Sequence, residues 1–505
     1  MTSRRQFFAA GLLGLTRKAE RKIAGAFVND DHSFGHEIRH RGQCLKRPQA
    51  TRRVAVVIAG GGIAGLSAAW RLEKKGLRDF VLLEAAPQPG GNSRWGENSI
   101  TAYPWAAHYV PVPAAGSAPL VRELMEELGV LRDGVWAEEH LCHSPQERLF
   151  IHGRWQEHIE PEVGVGARDR EQYRRFEERM EQFRQSGEFT IPMEAGARAS
   201  RLDRMSMRRW LFDQGFDSPY LHWLVDYSCR DDYGALSSAT SAWAGIHYFA
   251  SRAPEERGPL VWPEGNGWIA RRLLKKLGPY VRTNALVYHI KPEGLRYRVR
   301  TEEFDYVAEA VIFAAPVFLA PYVIEPAPRV EGFEYSPWIS ANLTLERWPQ
   351  SQGVEPAWDN VIFDSPSLGY VVATHQSLRT HQEKTVWTWY HALAYAPPAE
   401  SRRFLLETTW EYWRDFILDD LARAHPDIRG CVSRIDIMRM GHAMVRPSVG
   451  FVFSPARRAL AQPAGRLVYA ASDLSGFSIF EEAQYRGVRA ADHVLRVLGG
   501  LRSVS

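Results

Sequence analysis

Residues 56–76 read VVIAGGGIAGLSAAWRLEKKG, an apolar run that enters three glycines and then continues with helical spacing. The apolar run 54–59 predicts a buried strand, and the pattern from Ile63 to about Lys75 predicts a helix. The glycines between them predict a tight turn that joins the two elements. A strand, a glycine turn and a helix in this order predict an α/β fold with a ligand at the turn.

The glycine spacing GxGxxG is typical of the turn that holds the pyrophosphate of an adenine dinucleotide. Gly60 permits the tight turn, Gly62 lets the backbone approach the pyrophosphate, and Gly65 lets the helix pack closely on the strand. The pyrophosphate would face the N–H groups of Ile63 and Ala64 at the helix N-terminus, where the helix dipole also favours negative charge.

A carboxylate follows the next predicted strand at the distance that a ribose contact requires. The stretch DFVLLEA, residues 79–85, ends in Glu84 and Ala85, and Glu84 lies 24 residues after Gly60. An acid here accepts hydrogen bonds from ribose hydroxyls and repels a 2′-phosphate, which favours an unphosphorylated adenosine. A chance glycine turn is the alternative, but the order of strand, helix, second strand and acid argues against it.

Length and charge limit the other classes of function. The chain has 505 residues with 45% hydrophobic and 24% charged side chains, which predicts a soluble protein with more than one domain. Residues 1–53 hold 12 Lys/Arg and 4 Asp/Glu, so the basic excess lies at the N-terminus and the body is nearly neutral. We therefore expect no nucleic-acid partner and, without a run of 18 apolar residues, no stable membrane span.

The cysteines and histidines do not predict a metal site or a disulfide scaffold. None of the four cysteines lies in a CxxC pair. The stretch HLCH, residues 140–143, has no second half with ligand spacing, so no metal is expected there.

The N-terminus MTSRRQFFAAGLLGLTRKAERK fits a twin-arginine leader, with Arg4 and Arg5 before a short apolar run. This pattern predicts a leader at 1–26, recognised by the twin-arginine export machinery, and a periplasmic protein. That route carries proteins already folded around a cofactor. The alternative is a cytoplasmic protein with a basic arm. Residues 27–50 are expected to form a poorly structured or surface-wrapping arm.

After Glu84 the chain reads EAAPQPGGNSRWGEN, residues 84–98, with Gly90 and Gly91 just behind the acid. Here the sequence resembles the flavin-containing amine oxidase superfamily, which includes amine oxidases, protoporphyrinogen oxidases and carotenoid desaturases. The resemblance implies that the glycine pair and the adjacent Asn92 continue the dinucleotide site toward a flavin. The family usually has RxGGR at this point, whereas here Gln88 and Asn92 flank the pair.

Two more stretches carry the same resemblance. GRLVYAASDLSGFSIFEEAQYRGVRAADHVL, residues 465–495, matches the family's C-terminal segment. The match implies that Asp473 binds the ribityl chain or the pyrophosphate. It also implies that helix 480–497 directs its N-terminus, including Glu482 and Ala483, at the isoalloxazine.

The family's middle segment is matched by VRTNALVYHIKPEGLRYRVRT and DYVAEAVIFAAPVFLAPYVI. It implies that Val287 contacts the adenine through its backbone and that Ala315 lies at a strand end close to the flavin. Since a nicotinamide dehydrogenase would not carry all these segments, the expected cofactor is FAD.

The matched segments predict an α/β fold class with two domains. Residues 51–112, 255–322 and 432–498 would form a Rossmann-like FAD-binding domain, a parallel sheet with helices on both faces. The insertions 113–254 and 323–431 would form an α+β substrate domain.

Three stretches contain candidate catalytic residues. ITAYPWAAHYVPVP, residues 100–113, follows the glycine pair directly and holds His108, suited to acid–base chemistry, and Tyr109. DYSCRDDYG, residues 226–234, places two acids beside Arg230, a cluster that could bind a cationic substrate or close a helix as a structural ion pair. His442 precedes the last FAD segment and could line a cavity. For each of the histidines the alternative is a packed side chain.

Two departures from the resembled family bear on the substrate. Many of these amine oxidases carry a lysine after the strand that corresponds to 311–316, and AAPVFLAPYVIEPAP has none. Many also have a tyrosine near the start of the last helix, where this chain offers Phe477 and Phe480. A conventional monoamine or polyamine oxidase is therefore disfavoured.

The expected function is hydride transfer from a small organic substrate, an amine or amino acid first, to flavin N5, with O2 or a quinone as electron acceptor. The alternatives are a desaturase or protoporphyrinogen-oxidase-like enzyme that acts on C–C bonds, and a flavin-bearing binding protein without turnover.

Overall fold

The structure, a computed structural model, describes residues 22–29, 32–40, 48–114, 116–198, 200–252, 258–377 and 382–502. Arg4 and Arg5 of the predicted leader lie outside these residues. Within them, no helix is both long and apolar enough to cross a membrane.

The strands are β1 (Ala24–Phe27), β2 (Ala50–Ala59), β3 (Phe80–Leu83), β4 (Trp95–Glu97), β5 (Ala102–Pro104), β6 (Tyr109–Val110), β7 (Leu131–Arg132), β8 (Val135–Trp136), β9 (Glu147–Ile151), β10 (Arg154–Glu157), β11 (Leu260–Val261), β12 (Val281–Arg282), β13 (His289–Glu293), β14 (Arg296–Arg300), β15 (Phe304–Phe313), β16 (Tyr335–Leu345), β17 (Asp359–Ile362), β18 (Tyr370–Val372), β19 (Thr385–Ala392), β20 (Val432–Val445) and β21 (Leu467–Tyr469). The helices are α1 (His32–Glu37), α2 (Ile63–Lys74), α3 (Pro119–Glu127), α4 (Ala167–Gln185), α5 (Met207–Asp213), α6 (Pro219–Tyr233), α7 (Ala242–Ala250), α8 (Gly267–Leu277), α9 (Ala320–Val323), α10 (Pro398–Glu407), α11 (Trp410–Ala422), α12 (Pro455–Ala461) and α13 (Phe480–Arg502).

The first large sheet has the strand order β12-β3-β2-β15-β14-β13, and β21 also pairs with β15. Its strands β12, β3, β2, β15 and β21 run parallel, and β13 and β14 form an antiparallel extension. The apolar end of β2 is buried without alternation, as expected for a parallel strand that is covered on both faces. The predicted Rossmann-like α/β fold is thereby confirmed.

Register in this sheet brings distant segments to one edge. Ala59 pairs with Leu83 and with Phe313, and Phe313 pairs with Tyr469. Because these strands are parallel, their carboxyl ends lie side by side, and ligands of such sheets bind just outside those ends. The segments that follow the four strands are the glycine turn, Glu84, Ala315 and the approach to α13, which the register therefore assembles into one groove.

The second large sheet has eight strands in the order β1-β20-β16-β19-β18-β17-β9-β10. It is mostly antiparallel, except that β1 pairs parallel with β20 and β17 parallel with β9. The helix α11 covers one face of this sheet through buried side chains such as Trp413 and Ile417. Strands from both predicted insertions meet here, since β9 and β10 come from the first and β16 to β19 from the second.

Two segments differ from the predicted boundaries. Strand β20 lies in 432–498, predicted for the FAD-binding domain, but pairs along its length with β16 of the second sheet. Strand β1 spans the predicted junction between leader and arm, and Ala24 pairs with Arg434. Pairing satisfies the backbone groups of an otherwise open sheet edge. Cleavage within residues 24–26 would therefore cut this strand.

Candidate active site

In the glycine turn, close backbone approaches leave no room for a side chain at Gly60 or at Gly65. Gly60 has φ +114°, and a Cβ on it would lie 2.8 Å from the Ala314 carbonyl carbon. A Cβ on Gly65 would lie 1.9 Å from the Gly60 carbonyl oxygen. Helix α2 begins at Ile63, and its N-cap residue Gly62 provides no side-chain hydrogen bond. The first-turn N–H groups, including that of Ala64, are thus arranged for an anion.

The Glu84 carboxylate is hydrogen-bonded at the edge of this turn. The Gly61 N–H donates to its Oε2 at 2.7 Å and the Ala86 N–H donates to its Oε1 at 2.8 Å. These two bonds orient the carboxylate, and a carboxylate has about four lone-pair sites, so ribose hydroxyls could bind to it as well. Glu84 and the adjacent Ala85 are half-buried. The arrangement fits an adenosine ribose.

The second glycine pair continues the groove. Gly90 and Gly91 have φ +130° and +57°, and the Gly90 N–H donates to the Gly61 carbonyl at 2.8 Å, which ties the pair to the first turn. Gly91 and Asn92 are exposed. The Asn92 amide donates to the Ala443 carbonyl at 2.8 Å and so joins the groove to β20 of the second sheet.

Of the remaining predicted cofactor residues, Ala315 and Ala483 are half-buried, whereas Val287 and Asp473 are buried. Ala315, half-buried, follows β15 beside Gly60, and Ala483 is half-buried in the first turn of α13. Val287 packs in the cluster beneath the first sheet. Asp473 is buried, and its Oδ2 accepts hydrogen bonds from the Tyr335 hydroxyl at 2.6 Å and the Val317 N–H at 2.9 Å. Its contact with the ribityl chain stays a prediction.

Glu482 does not face the groove. Its carboxylate accepts hydrogen bonds from the Met193 N–H and the Ser475 hydroxyl and is fully buried. The preceding residue, Glu481, lines the cavity instead. Successive helical side chains point about 100° apart. The helix therefore presents its first glutamate to the cavity and its second to the protein interior.

A cavity of about 130 Å³ lies where the groove meets the second sheet. One wall is formed by Asn92 and residues 106–109, which follow the glycine pair, and another by residues 478–481 at the start of α13. Trp338 and Tyr390 of the second sheet close the far side. Within the described residues, no lysine lines this cavity, in agreement with the missing lysine in the sequence.

His108 and Tyr109 line the cavity as predicted. The His108 ring is bonded through Nδ1 to the Ala106 carbonyl at 2.9 Å and lies 4.9 Å from the Tyr390 ring. Burial lowers the pKa of His108 to about 4. The imidazole is therefore neutral at pH 7, and Nδ1 carries the proton donated to Ala106. Such a weak base does not retain a substrate proton.

An acidic cluster forms one end of the cavity. Asp232 forms an ion pair with Arg252 at 3.3 Å, and the Asp231 Oδ2 accepts from the Tyr109 hydroxyl at 3.5 Å. Burial and then the neighbouring Asp232 raise the pKa of Asp231 to about 7. Burial also raises the pKa of Glu481, whose Oε2 has no hydrogen-bond partner among the described residues. Three carboxyl groups thus face one guanidinium in a buried site, which favours a cation.

Arg230 lies outside the cavity, contrary to the prediction. It is buried, and its guanidinium donates to the carbonyls of Ser365, Pro366 and Ser367, with the bond to Pro366 at 2.8 Å. It therefore fastens α6 to the loop before β18. The neighbouring Asp231 and Asp232 point into the cavity because each residue turns the helix by about 100°.

His442 is also not a cavity residue. Its ring stacks on Phe318 with the centroids 4.3 Å apart, while its neighbours Ala443 and Met444 line the cavity. Burial lowers the pKa of His442 to about 4. His442, a residue of β20, therefore packs as a neutral ring against Phe318.

Residues that the sequence reasoning missed complete the site. Arg252 and Glu481 were not singled out, although Asp231 and Asp232 stood in the noted stretch DYSCRDDYG. The one sequence signal that could have indicated this cluster was the adjacent pair Asp231 and Asp232, near the end of a predicted helix. Glu481 lies 249 residues after Asp232 in the chain, so no local pattern joins them.

Solved structures of three oxidases share the fold along 88% of this chain. Putrescine oxidase bound to putrescine is 17% identical, with a TM-score of 0.67 and all of that chain covered. Cyclohexylamine oxidase from Brevibacterium oxydans is 14% identical, with a TM-score of 0.66 and 99% covered. A structure assigned as protoporphyrinogen oxidase from Exiguobacterium is 15% identical, with a TM-score of 0.63 and 98% covered.

Short stretches also match two Baeyer–Villiger monooxygenases. The Penicillium patulum protein is 31% identical over 106 residues, 21% of this chain, and the Streptomyces coelicolor protein is 44% identical over 63 residues, 12% of this chain. The matches span only 16% and 11% of those relatives.

The family comparison covers most of the chain. Residues 63–495 match the flavin-containing amine oxidoreductases, a range that includes α2, every strand of the two large sheets except β1 and β2, and most of α13. This match, together with the groove built for an adenine dinucleotide, shows that the cofactor is FAD and that the protein is an FAD-dependent oxidoreductase. The chain belongs to the flavin-containing amine oxidoreductase family.

Proposed function

We propose that the protein oxidises small amines whose ammonium group binds at Asp231. The observation that carries this proposal is the excess of buried carboxyl groups in the cavity. Among the described residues that line it, Asp231, Asp232 and Glu481 face one guanidinium, that of Arg252. Ionised carboxyl groups attract a cation most strongly where water is excluded. The putrescine and cyclohexylamine oxidases that share the fold are named for amine substrates.

The cavity residues would bind, orient and deprotonate the amine. FAD, when bound, supplies the acceptor for a hydride, which carries two electrons. Asp231 would take one proton from the ammonium, which leaves a neutral amine with a free lone pair. Loss of a hydride from the adjacent carbon then gives an iminium ion. Because the pKa of Asp231 is about 7, this carboxyl can both accept and release a proton near neutral pH.

The other substrate classes fit the cavity less well. An amino acid needs a cationic partner for its carboxylate, and Arg252 is already paired with Asp232. An apolar C–C substrate of a desaturase or protoporphyrinogen-oxidase-like enzyme would leave the acidic end of a cavity of about 130 Å³ uncompensated. A binding protein without turnover would not need this cavity beside the groove.

Flavin bleaching under anaerobic conditions tests the proposal. We expect small primary and secondary amines to bleach the flavin absorbance of the purified protein, and amino acids and porphyrinogens to leave it unchanged. Bleaching by porphyrinogens or amino acids alone would contradict the amine proposal. Mixing the reduced protein with O2 or with a quinone then identifies the acceptor that restores the absorbance.

We also propose export by the twin-arginine route, based on the sequence pattern around Arg4 and Arg5. Replacing both arginines by lysine should keep the protein in the cytoplasm, as measured by cell fractionation. The substitution Arg17→Lys, outside the motif, serves as the control and should leave export intact. Unchanged periplasmic accumulation of the double variant would contradict the twin-arginine route, and wild-type protein found in the cytoplasm would favour a cytoplasmic protein with a basic arm.

A further inference from the structure

A row of acidic groups crosses the second sheet, beginning at the cavity. Tyr390 of β19 lines the cavity, and its hydroxyl donates to the Asp359 Oδ1 at 3.4 Å. Asp359 of β17 stands in register with Glu147 of the parallel strand β9. Residues in register on neighbouring strands, about 4.8 Å apart, point to the same face. Asp359 and Glu147 therefore share one face on neighbouring strands, and the Tyr390 hydroxyl reaches Asp359 from β19, across the intervening strand β18.

Asp359, in the middle of this row, is buried, and none of the described residues provides it with a positive partner. The titratable groups that interact with Asp359 are the carboxyls of Asp231 and Glu147, together with the groups of Tyr227, Tyr370, Tyr390 and Cys142. All of them are acids. Burial, and then the Asp231 and Glu147 carboxyls, raise the pKa of Asp359 well above its usual range. The raised pKa favours the neutral form of Asp359, which can donate a proton as well as accept one.

The outer end of the row reaches solvent. Glu147 is half-buried, and burial raises its pKa. The nearby His158 is exposed, and its charge lowers the pKa of Glu147. A proton that arrives at Glu147 can thus leave to water or to the exposed imidazole.

We propose that Tyr390, Asp359 and Glu147 conduct the proton released by the substrate from the cavity to the protein surface. This inference rests on the proposed amine oxidation, in which Asp231 receives that proton. Every turnover must return Asp231 to its ionised form. Asp232 and Arg252 beside it are already paired with each other, so the proton needs an exit that this pair does not provide.

The proton balance closes without any further reactant. Asp231 and Tyr390 line the same cavity of about 130 Å³, which has room for water, since one water takes about 30 Å³ of liquid. Asp359 passes its proton to Glu147 and takes the Tyr390 hydroxyl proton, and Tyr390 regains a proton from the cavity. One proton enters from Asp231 and one leaves from Glu147, so no charge accumulates in the sheet.

Stopped-flow measurement of proton release tests the relay. The protein with bound FAD is mixed anaerobically with an amine that bleaches it, in weak buffer containing a pH indicator dye. In the wild-type protein, proton release should accompany bleaching. In Asp359→Asn, which keeps the size of the side chain, bleaching should keep its amplitude while proton release slows at least 10-fold. Asp359→Glu should restore the release.

A second variant covers the case in which Asp359→Asn fails to fold. Glu147→Gln changes only the half-buried outer end of the row and should slow proton release in the same way. The control is Tyr173→Phe, which removes a buried phenol whose hydroxyl has no partner among the described residues and which lies on α4 outside the row. It should leave both signals unchanged.

The outcomes separate the relay from the function. Proton release that follows bleaching at the wild-type rate in Glu147→Gln and in any folded Asp359→Asn would overturn the relay and leave amine oxidation intact. A wild-type protein that no amine bleaches would overturn the proposed function, and the relay with it.

Discussion

Replacing Asp231 by asparagine should lower kcat/KM for amine oxidation by about 100-fold or more, the loss typical of a removed acid–base group. The variant keeps the shape of the side chain but can neither attract the ammonium group nor accept its proton. Steady-state oxidation of an amine that bleaches the wild-type flavin measures the effect. The FAD content should stay unchanged, because Asp231 lies on α6, which is not part of the glycine turn.

The pH profile provides a second readout for Asp231. Below pH 7 this carboxyl, whose pKa is about 7, is protonated and cannot take a proton from the substrate. Wild-type kcat/KM should therefore fall as the pH drops below about 7, and Asp231→Asn should lose this acidic limb.

Asp226→Asn is the matched control for Asp231→Asn. Asp226 lies on the same helix but pairs with Arg208 at 2.7 Å, outside the cavity. This variant should keep kcat/KM within about 2-fold, since a distant carboxyl contributes nothing to acid–base catalysis. If Asp231→Asn also retained wild-type kcat/KM, Asp231 would not be the proton acceptor.

Replacing Gly487 by alanine should strip FAD from the protein. A Cβ at this position would lie 2.1 Å from the Ala64 carbonyl oxygen, so α13 would have to move away from α2. Both helices direct their N-termini at the groove, and their displacement would open it. Overpacking of this kind costs about 1–3 kcal/mol of unfolding free energy. The flavin absorbance per protein measures the loss of cofactor, and thermal unfolding measures the loss of stability.

Gly499→Ala is the control for this helix. Gly499 lies on α13 as well, but a Cβ there would meet no atom within 4 Å. Alanine is the better helix former, so this variant should keep its FAD and be as stable as the wild type or more so. If Gly487→Ala kept full flavin absorbance, the close contact between α13 and α2 would not govern cofactor binding.

The cofactor groove could be predicted because its determinants are local. The turn at 60–65 needs particular glycines, whose effect on the backbone does not depend on the rest of the chain. Helix α2 was expected from Ile63 to about Lys75 and spans Ile63–Lys74. Glu84 followed from its distance along the chain, because the second strand of such a unit pairs directly with the first.

The polar end of the cavity could not be predicted in the same way. Sequence reasoning chose Arg230, His442 and Glu482, and the structure directs all three side chains away from the cavity. In the two helical stretches the residue that does line the cavity is an immediate neighbour, Asp231 or Glu481. A cluster of charged residues in the sequence indicates which helix end lies near the site. Tertiary packing sets the rotation of that helix about its axis, and so decides which of the side chains face the cavity.

The sequence by itself determined the fold class and the turn that holds an adenine dinucleotide, because residues 60–65 act through backbone geometry and lie close together in the chain. Its resemblance to the flavin-containing amine oxidases indicated that this dinucleotide is FAD. Only the tertiary structure decided the reactive end. Tyr109, Asp231 and Glu481 belong to segments more than 100 residues apart, and they meet because the second sheet and α13 close on the groove. Burial at that meeting point raises the pKa of Asp231 toward neutrality, an effect that no contiguous stretch of sequence contains.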